Sequence, residues 1–273
     1  MTARVTRRVR SRVFGRDPAA FDRARLRYPK RIYEILTRRC GLHPGIVAFE
    51  IGPGTGIATR ELLRRGAGPM TLVEPDRRLA RYLRGSLGSR AGRVTVLTES
   101  FEDVSLPSAG FDLGIAASSF HWMAERQALR KIARVLKPGG WWAAWGNRHG
   151  DPYRASPFHE ALQPLYRTLS NGRAGGGFGK AAAAKDRTDR MAALKSVGKF
   201  DYISREDIRW TVALPTARVK ALWGTFSDVL TLPPQKRNWF LNELAKVVDE
   251  RFEGRVEFPM LSPIYTARKV RLL

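Results

Sequence analysis

Residues 46–58 read Ile-Val-Ala-Phe-Glu-Ile-Gly-Pro-Gly-Thr-Gly-Ile-Ala. Three glycines at alternate positions, Gly52, Gly54 and Gly56, let a backbone turn sharply and bring its N–H groups against a ligand with no side chain in between. The spacing excludes two familiar phosphate cradles. In a G-x-G-x-x-G loop the third glycine would fall on Ile57 or Thr59, and a G-x-x-x-x-G-K-[ST] loop needs a lysine that does not follow here. A second group, Ser119-Phe120-His121-Trp122-Met123, carries the one nearby side chain that titrates near neutrality. His121, with an ordinary pKa near 6.5, suits a general base or a hydrogen-bonding positioner, and a packed histidine is the plainer alternative. Trp122 suits a pocket wall, a cover over a ligand, or the core.

These groups need elements to hold them. Apolar runs predict strands at Ile46–Ile51, Met70–Val73, Val94–Leu97, Phe111–Ala117 and Trp141–Trp145, the last after a Lys137-Pro138-Gly139-Gly140 turn. Helical spacing predicts Ala58–Arg65, Arg77–Leu87 and Glu125–Leu136 between them. Strands alternating with helices imply right-handed crossovers and a parallel sheet covered on both faces. Such sheets bind ligands at the carboxyl ends of their strands, where the strand order reverses. Before the first strand, Pro18 to Arg39 reads as helix interrupted at Tyr28-Pro29. After the last, helices are expected at about 151–170 and 190–198, flanking a glycine-rich stretch, Asn171–Lys180, that reads as a mobile loop or lid. A strand at Ile208–Val212, helices at Thr216–Leu230 and Pro234–Phe252, and strand character over Val256–Val270 complete the chain.

Composition narrows the class. The 273 residues carry 49 Lys+Arg against 25 Asp+Glu, a formal charge of +24, yet 43 % hydrophobic and 10 % aromatic content is that of a folded protein. The basic excess is spread, and it is densest in the first 16 residues, which hold six arginines and no acid. There Val5, Val9 and Val13 recur every four residues, compatible with a short amphipathic helix, but a flexible arm is the expectation over an organellar transit segment. A basic surface favours anionic partners, nucleic acid among them. A lone Cys40 excludes an internal disulfide, and no Cys/His cluster has zinc spacing, so no metal is expected. No run is long and apolar enough to span a bilayer and no secretory leader is evident, so a cytoplasmic protein without a membrane partner is expected.

The glycine loop resembles the first motif of the class I S-adenosylmethionine-dependent methyltransferases, an acid followed by G-x-G-x-G, matched by Glu50, Gly52, Gly54 and Gly56, with Pro53 and Thr55 between. The resemblance continues in order. Leu72-Val73-Glu74-Pro75-Asp76 looks like the second-strand motif whose acid holds the ribose, which falls on Glu74 with Pro75 beside it; a carboxylate accepts from two vicinal hydroxyls at once. Glu99-Ser100-Phe101-Glu102-Asp103 looks like the adenine-contacting turn, with Ser100 where an Asp often stands and the Phe101 backbone as the other contact. Ala117 closes strand four, and Leu136-Lys137-Pro138-Gly139-Gly140 precedes strand five as in the family. The resemblance covers about residues 45–146. It implies a Rossmann-like α/β fold with a seven-stranded, mostly parallel sheet of order 3-2-1-4-5-7-6, the last strand antiparallel. It also implies S-adenosylmethionine as cofactor and S-adenosylhomocysteine as product. The expected organisation is a basic tail (1–16), a cofactor-binding core with an N-terminal cap helix (17–150), an insertion or lid (151–200) and a segment completing the sheet (201–273).

Ser119–Met123 further resembles the F-H-W signature of a small-molecule branch that includes the trans-aconitate methyltransferases. Phe21–Pro29 resembles that branch's N-terminal R-P-x-Y-P segment, with Leu26 in place of its first proline. This places Arg27, Tyr28, His121 and Trp122 on the acceptor side. The segment after strand four, Ala117-Ser118-Ser119-Phe120, lacks the proline pair of nucleobase amino-methyltransferases, and Cys40 precedes the cofactor motif, so the thiol of a cytosine C5 mechanism is missing. The expected function is methyl transfer to a small molecule, most simply O-methylation of a carboxylate or hydroxyl. An RNA- or ribosome-associated methyltransferase or binding protein is the second reading, and a fold with a decayed acceptor pocket the third. The sequence leaves the oligomeric state open.

Overall fold

Every residue of β1 (Ala48–Ile51) is buried. A strand covered on both faces must be apolar on both, which is why it reads as a continuous apolar run. The computed structural model describes residues 12–169 and 180–271. Almost all of the glycine-rich stretch 171–180 and the Val5–Val9 part of the basic tail therefore lie outside the described residues. Around β1 lie β2 (Met70–Val73), β3 (Val94–Leu97), β4 (Phe111–Ala117), β5 (Leu136–Trp145), β6 (Phe200–Pro215) and β7 (Arg255–Lys269), in the order β3-β2-β1-β4-β5-β7-β6. The first five run parallel, and β7 is antiparallel to β5, with Ile264 opposite Trp145. This is the expected topology. The order reverses at β1, between β2 and β4, so a crevice belongs at the carboxyl ends of β1 and β4.

The first helix, α1 (Pro18–Ala24), starts with proline at its first position and with the Asp17 side chain accepting from Ala20 N at 2.9 Å. Next comes α2 (Lys30–Cys40), which begins directly after Pro29 and ends at Gly41 in the left-handed region. Between the strands run α3 (Ile57–Arg64), α4 (Arg77–Ser86) and α5 (Glu125–Val135). Alternate residues of the strands feed two apolar layers. Phe49, Phe111 and Trp142 pack with Phe101, Phe120 and the Leu129 and Ile132 side chains of α5. Ala48, Leu113, Ala143 and Trp145 pack on the other face with Ile32 and Leu36 of α2 and Leu62 of α3.

The chain divides into two compact units that do not follow chain order. One comprises residues 27–147, 188–208 and 262–273, and the other residues 1–26, 148–187 and 209–261. The latter has its own core, in which Phe158 and Tyr166 of α6 (Pro157–Leu169), Trp223 of α8 (Thr216–Trp223), Phe240 and Leu244 of α9 (Pro234–Phe252) and Phe258 are buried. Trp223 Nε1 donates to Tyr166 Oη at 2.8 Å, so the buried indole loses no hydrogen bond. Arg12–Arg16, read from sequence as part of the tail, form a turn with Val13 buried and Phe14 5.5 Å from Phe21.

Several expected boundaries move. β6 runs from Phe200 rather than Ile208, and α7 (Lys180–Ser196) starts well before residue 190. The expected helix Thr216–Leu230 stops at Trp223, with Gly224 following, and leaves a single turn at Ser227–Leu230. Among the described residues no helix is long and apolar enough to cross a membrane.

Gly114, at the centre of β4, faces Phe49 across the β1–β4 pair. A Cβ there would sit 2.4 Å from Phe49 Cζ and 3.1 Å from Trp142 Cε3. Gly114→Ala should therefore cost about 1–3 kcal/mol through overpacking, and Gly114→Val more. Urea unfolding curves for the wild type and both variants measure this, and an unchanged midpoint for Gly114→Val would contradict the packing described.

Candidate active site

The carboxyl end of β1 leads into the glycine loop, and each glycine is there for a separate reason. Gly52 has φ +61°, and an added Cβ would fall 2.6 Å from Ser119 Cβ, so the loop after β1 and the segment after β4 press together at this point. Ser119 Oγ donates to the Ile51 carbonyl oxygen across the same contact. Gly56, at φ +86°, caps the start of α3, and a Cβ would strike Leu83 of α4 at 2.5 Å. Gly54, at φ +59°, is the one whose Cβ would meet nothing within 4 Å. Two of the glycines are fixed by packing, and the third borders open space. Pro53 O accepts from Gly56 N at 2.9 Å, which closes the turn, and Thr55 is buried with its carbonyl oxygen taken by Arg60.

Two buried carboxylates flank the loop. Glu74, just past β2, accepts from Gly54 N on Oε2 at 2.9 Å and from Asp76 N on Oε1 at 3.0 Å. Each oxygen thus keeps a lone pair for a further donor. Pro75 beside it is exposed, while Asp76 caps α4 by accepting from Arg78 N at 2.8 Å. Glu50 is wholly buried in β1. Its Oε2 accepts from Thr59 Oγ1 at 2.7 Å, and its Oε1 is buried with no hydrogen-bond partner among the described residues. Burial is the main cause that pushes both acids up to about 7. At Glu50 the Thr59 hydroxyl opposes it and the nearby Glu74 charge adds to it, and at Glu74 the two backbone N–H groups oppose it.

At the third-strand turn, Ser100 Oγ donates to Asp103 Oδ2 at 2.6 Å. The Phe101 ring is in the core, stacked 6.0 Å from Phe49, which leaves only its backbone to meet a ligand. Ala117 ends β4 half-buried. Next to it Ser118 takes φ +58°, and Tyr28 Oη donates to Ser118 Oγ at 3.0 Å. The Tyr28 ring meets Trp145 edge-on at 5.9 Å. Asn147 Nδ2 donates to the Arg27 carbonyl oxygen at 3.2 Å, while the Arg27 side chain stays exposed. His121 is exposed and Trp122 half-buried, with ring centres 4.6 Å apart. Tyr28, Ser118, Trp145 and Asn147 thus gather at the carboxyl ends of β4 and β5, and His121 and Trp122 follow two and three residues after Ser119.

Sequence reading missed Thr59 and Asn147, and it named Ser118 and Ser119 only as part of the segment after strand four, with no contact of their own. Thr59 lies in the first turn of α3, and Asn147 is two residues past β5, positions that a search confined to motif letters passes over. Cys40 is buried in α2, and burial raises its thiol to about 12, so it is no nucleophile. No group of three or more His, Cys, Asp or Glu side chains able to hold a metal occurs among the described residues.

Residues 49–144, which include β1 from its second residue, the glycine loop, Glu74 and β4, match the methyltransferase domain family. The chain carries a class I S-adenosylmethionine-dependent methyltransferase domain. A relative from Schizosaccharomyces pombe, described as an uncharacterized methyltransferase, is 26 % identical over 264 residues, covering 95 % of this chain and 98 % of its own. An uncharacterized methyltransferase from Mycobacterium tuberculosis is 29 % identical over 135 residues, 50 % of this chain and 52 % of its own, so the match to that relative spans about half of its length. Among solved structures, phosphoethanolamine N-methyltransferase 2 of Haemonchus contortus, in complex with S-adenosyl-L-methionine, superposes with a TM-score of 0.54. Its identity is 15 %, over 99 % of this chain and 59 % of that one, which speaks to the fold alone.

S-adenosylmethionine is the cofactor of this methyltransferase domain, and the residues present fit it. The open side of Gly54, the remaining lone pairs of Glu74 and the orphaned Oε1 of Glu50 are acceptors and space that a ligand rich in N–H and O–H donors would use. A Glu74 that accepts from a vicinal diol on both oxygens does so as a carboxylate, so a proton would compete with such a ligand. The dissociation constant for S-adenosylhomocysteine should weaken as pH falls through 7, approaching about tenfold per pH unit below it. Folding without ligand has the opposite sign. Both acids hold protons in the folded state that the unfolded chain releases above about 4.5, so this contribution to stability is full below that value and is lost as pH rises through 7. Calorimetry from pH 5.5 to 8.5 tests the first statement, and a flat profile would remove ionised Glu74 from the ribose. Gly54→Val and Glu74→Ala should each weaken cofactor binding strongly.

Proposed function

We propose that this protein transfers the methyl group of S-adenosylmethionine to an oxygen of a small molecule, a carboxylate or a hydroxyl, in the cytoplasm. In this reading the backbone of Gly52–Gly56 and Glu50 receive the methionine part of the cofactor, Glu74 and Pro75 the ribose, and Ser100 with the Phe101 backbone the adenine. Ala117 borders the methyl. Arg27, Tyr28, His121 and Trp122 line the acceptor side. The observation that carries it is the set of groups at the carboxyl end of β4: two serine hydroxyls, one answered by Tyr28 Oη, then an imidazole beside an indole, with neither a proline pair nor a thiol.

The bound cofactor supplies an electrophilic methyl on a positive sulfur and leaves as S-adenosylhomocysteine. What remains for the chain is alignment and exclusion of water, which together are worth several kcal/mol in favourable cases. A carboxylate acceptor attacks without losing a proton. A hydroxyl must give one up, and in this reading exposed His121 takes it. The basic charge supports RNA as a second acceptor less well. It is spread over the chain, with 13 basic residues in 1–40, 15 in 41–150 and 21 in 151–273, rather than gathered on the methyltransferase domain.

The first test is methyl incorporation from labelled cofactor into a metabolite pool and, in parallel, into total RNA. Incorporation into RNA alone overturns the reading. With an acceptor in hand, His121→Asn should leave a carboxylate acceptor nearly unaffected. It should cut turnover of a hydroxyl acceptor by about a hundredfold or more and remove the acidic limb of the pH–rate profile. Unchanged turnover with a hydroxyl acceptor would leave His121 a surface residue with no part in proton transfer.

A further inference from the structure

Arg205, on β6, is an oddly answered cation. Its side chain is 6 % exposed, and it gives both Nε and Nη2 to a single oxygen of Asp207, at 2.8 and 2.7 Å. Its third nitrogen, Nη1, is buried with no hydrogen-bond partner among the described residues. Its guanidinium carbon lies 5.3 Å from the centre of the Tyr265 ring. A second guanidinium, that of Arg190 on α7, lies 5.8 Å from the same ring and 5.9 Å from the Phe120 ring, and forms an ion pair with Glu125 at 3.6 Å. One tyrosine ring therefore carries two arginines, and Arg205 spends both of its paired nitrogens on one carboxylate oxygen.

The place in the fold gives this cluster a direction. Tyr265 pairs with Ala144 and Ile264 with Trp145, the last residue of β5, so the cluster sits one residue inside the carboxyl edge of the sheet. Phe120, which touches Arg190, is the residue before His121 and two beyond Ser118. From β4 to β7 is two strand spacings, roughly 10 Å.

We propose that Arg205, with Arg190 and Tyr265 beside it, is the anchoring site for an oxyanion carried by the methyl acceptor, a carboxylate or a phosphoryl group held away from the atom that is methylated. This rests on the small-molecule reading above and deepens it, because it requires an acceptor with an anionic group roughly 10 Å from the reacting oxygen. The guanidinium presents planar N–H donors that match carboxylate and phosphate oxygens, and a buried donor without a partner is the feature such a ligand would satisfy. Arg190, at 18 % exposure, is the more accessible of the two guanidiniums.

The test uses the full chain saturated with S-adenosylhomocysteine, titrated calorimetrically with suberate, with its uncharged diamide and with inorganic phosphate. Suberate carries two carboxylates at close to the required span. One of the two anions should bind the wild type about tenfold or more tightly than the diamide. Suberate alone assigns a carboxylate anchor, phosphate alone a phosphoryl anchor, and either supports the site. Arg205→Gln should abolish the preference for anion over diamide and leave S-adenosylhomocysteine affinity unchanged, while Arg205→Lys should keep part of the preference. Should Arg205→Gln fail to fold, Arg190→Gln, at the more exposed position, should still lower anion affinity severalfold. Anion binding to Arg205→Gln equal to that of the wild type overturns the proposal, as does the absence of any anion binding at millimolar concentration. Equal methylation of an anionic acceptor by wild type and Arg205→Gln would overturn the anchor and leave the small-molecule reading standing. Methylation of RNA alone would overturn that reading itself.

Discussion

The structure turns on one contact, where the loop after β1 meets the segment after β4. Gly52 lies so close to Ser119 that no side chain fits, and the serine hydroxyl closes the gap by donating to the Ile51 carbonyl oxygen. The contact fixes the carboxyl ends of two adjacent parallel strands relative to each other. Beside it lie two buried acids, Glu50 in β1 and Glu74 just past β2, both pushed up chiefly by burial, with the Glu74 charge adding to the shift at Glu50. A chain selected for stability alone would not bury two acids there, since burying a charged group without a matching cation is costly. The cost is understandable if the acids are half of a binding site whose other half is a ligand rich in donors. Perturbed carboxylates at a topological switch point are where such a site is expected.

The first half of the fold was legible because its signals are local. β1 to β4 are short, apolar and closed by glycine, proline or capping acids, and the motif that names the cofactor is a backbone geometry that only glycines permit. The later half was less legible for equally physical reasons. β6 carries Asp201, Arg205, Glu206 and Asp207 in what is a strand, and a chain reader sees a polar segment. In the structure Asp201 pairs with Arg268 at 3.0 Å, Glu206 with Arg39 at 2.7 Å and Arg205 with Asp207, so the charges belong to long-range pairings that no local pattern displays. The early start of α7 had a sequence signal that the neighbouring glycines obscured. Ala181–Ala184 are four consecutive alanines, the strongest helix formers. At the site, sequence supplied the acid at position 50 and not its orphaned oxygen, which depends on Thr59 occupying one carboxylate oxygen and nothing described occupying the other.

The same pairings change what the net charge means. Arginine outnumbers lysine throughout the chain, and many of the described guanidiniums are engaged within the fold. Arg268 lies over Tyr202 at 3.9 Å, Arg65 over Tyr33 at 5.2 Å, and Arg25 near both Phe21 and Phe226. A planar, weakly hydrated cation can pack on a ring and still hold a carboxylate, which an ammonium does less well. Part of the formal +24 is therefore structural material, and a phosphate backbone is not needed to account for it.

Donor and acceptor place different demands on a sequence, and this explains why the first is so much easier to read than the second. The donor is the same molecule in every member of the family, so its loop is met by backbone conformations that recur as a motif, and the domain match accordingly covers residues 49–144. An acceptor differs from enzyme to enzyme, and its recognition falls to side chains scattered over the chain; those proposed for it are Arg27 and Tyr28 before that match and Arg190, Arg205 and Tyr265 after it. None of these positions is constrained by the backbone turn that holds the cofactor, so each can be exchanged without disturbing the donor site. A fold shared at 15 % identity with an enzyme that methylates phosphoethanolamine is therefore silent about this acceptor. The informative feature is a departure from local economy. A buried arginine nitrogen left unanswered on a strand that otherwise pairs its charges is hard to explain by folding and easy to explain by a ligand.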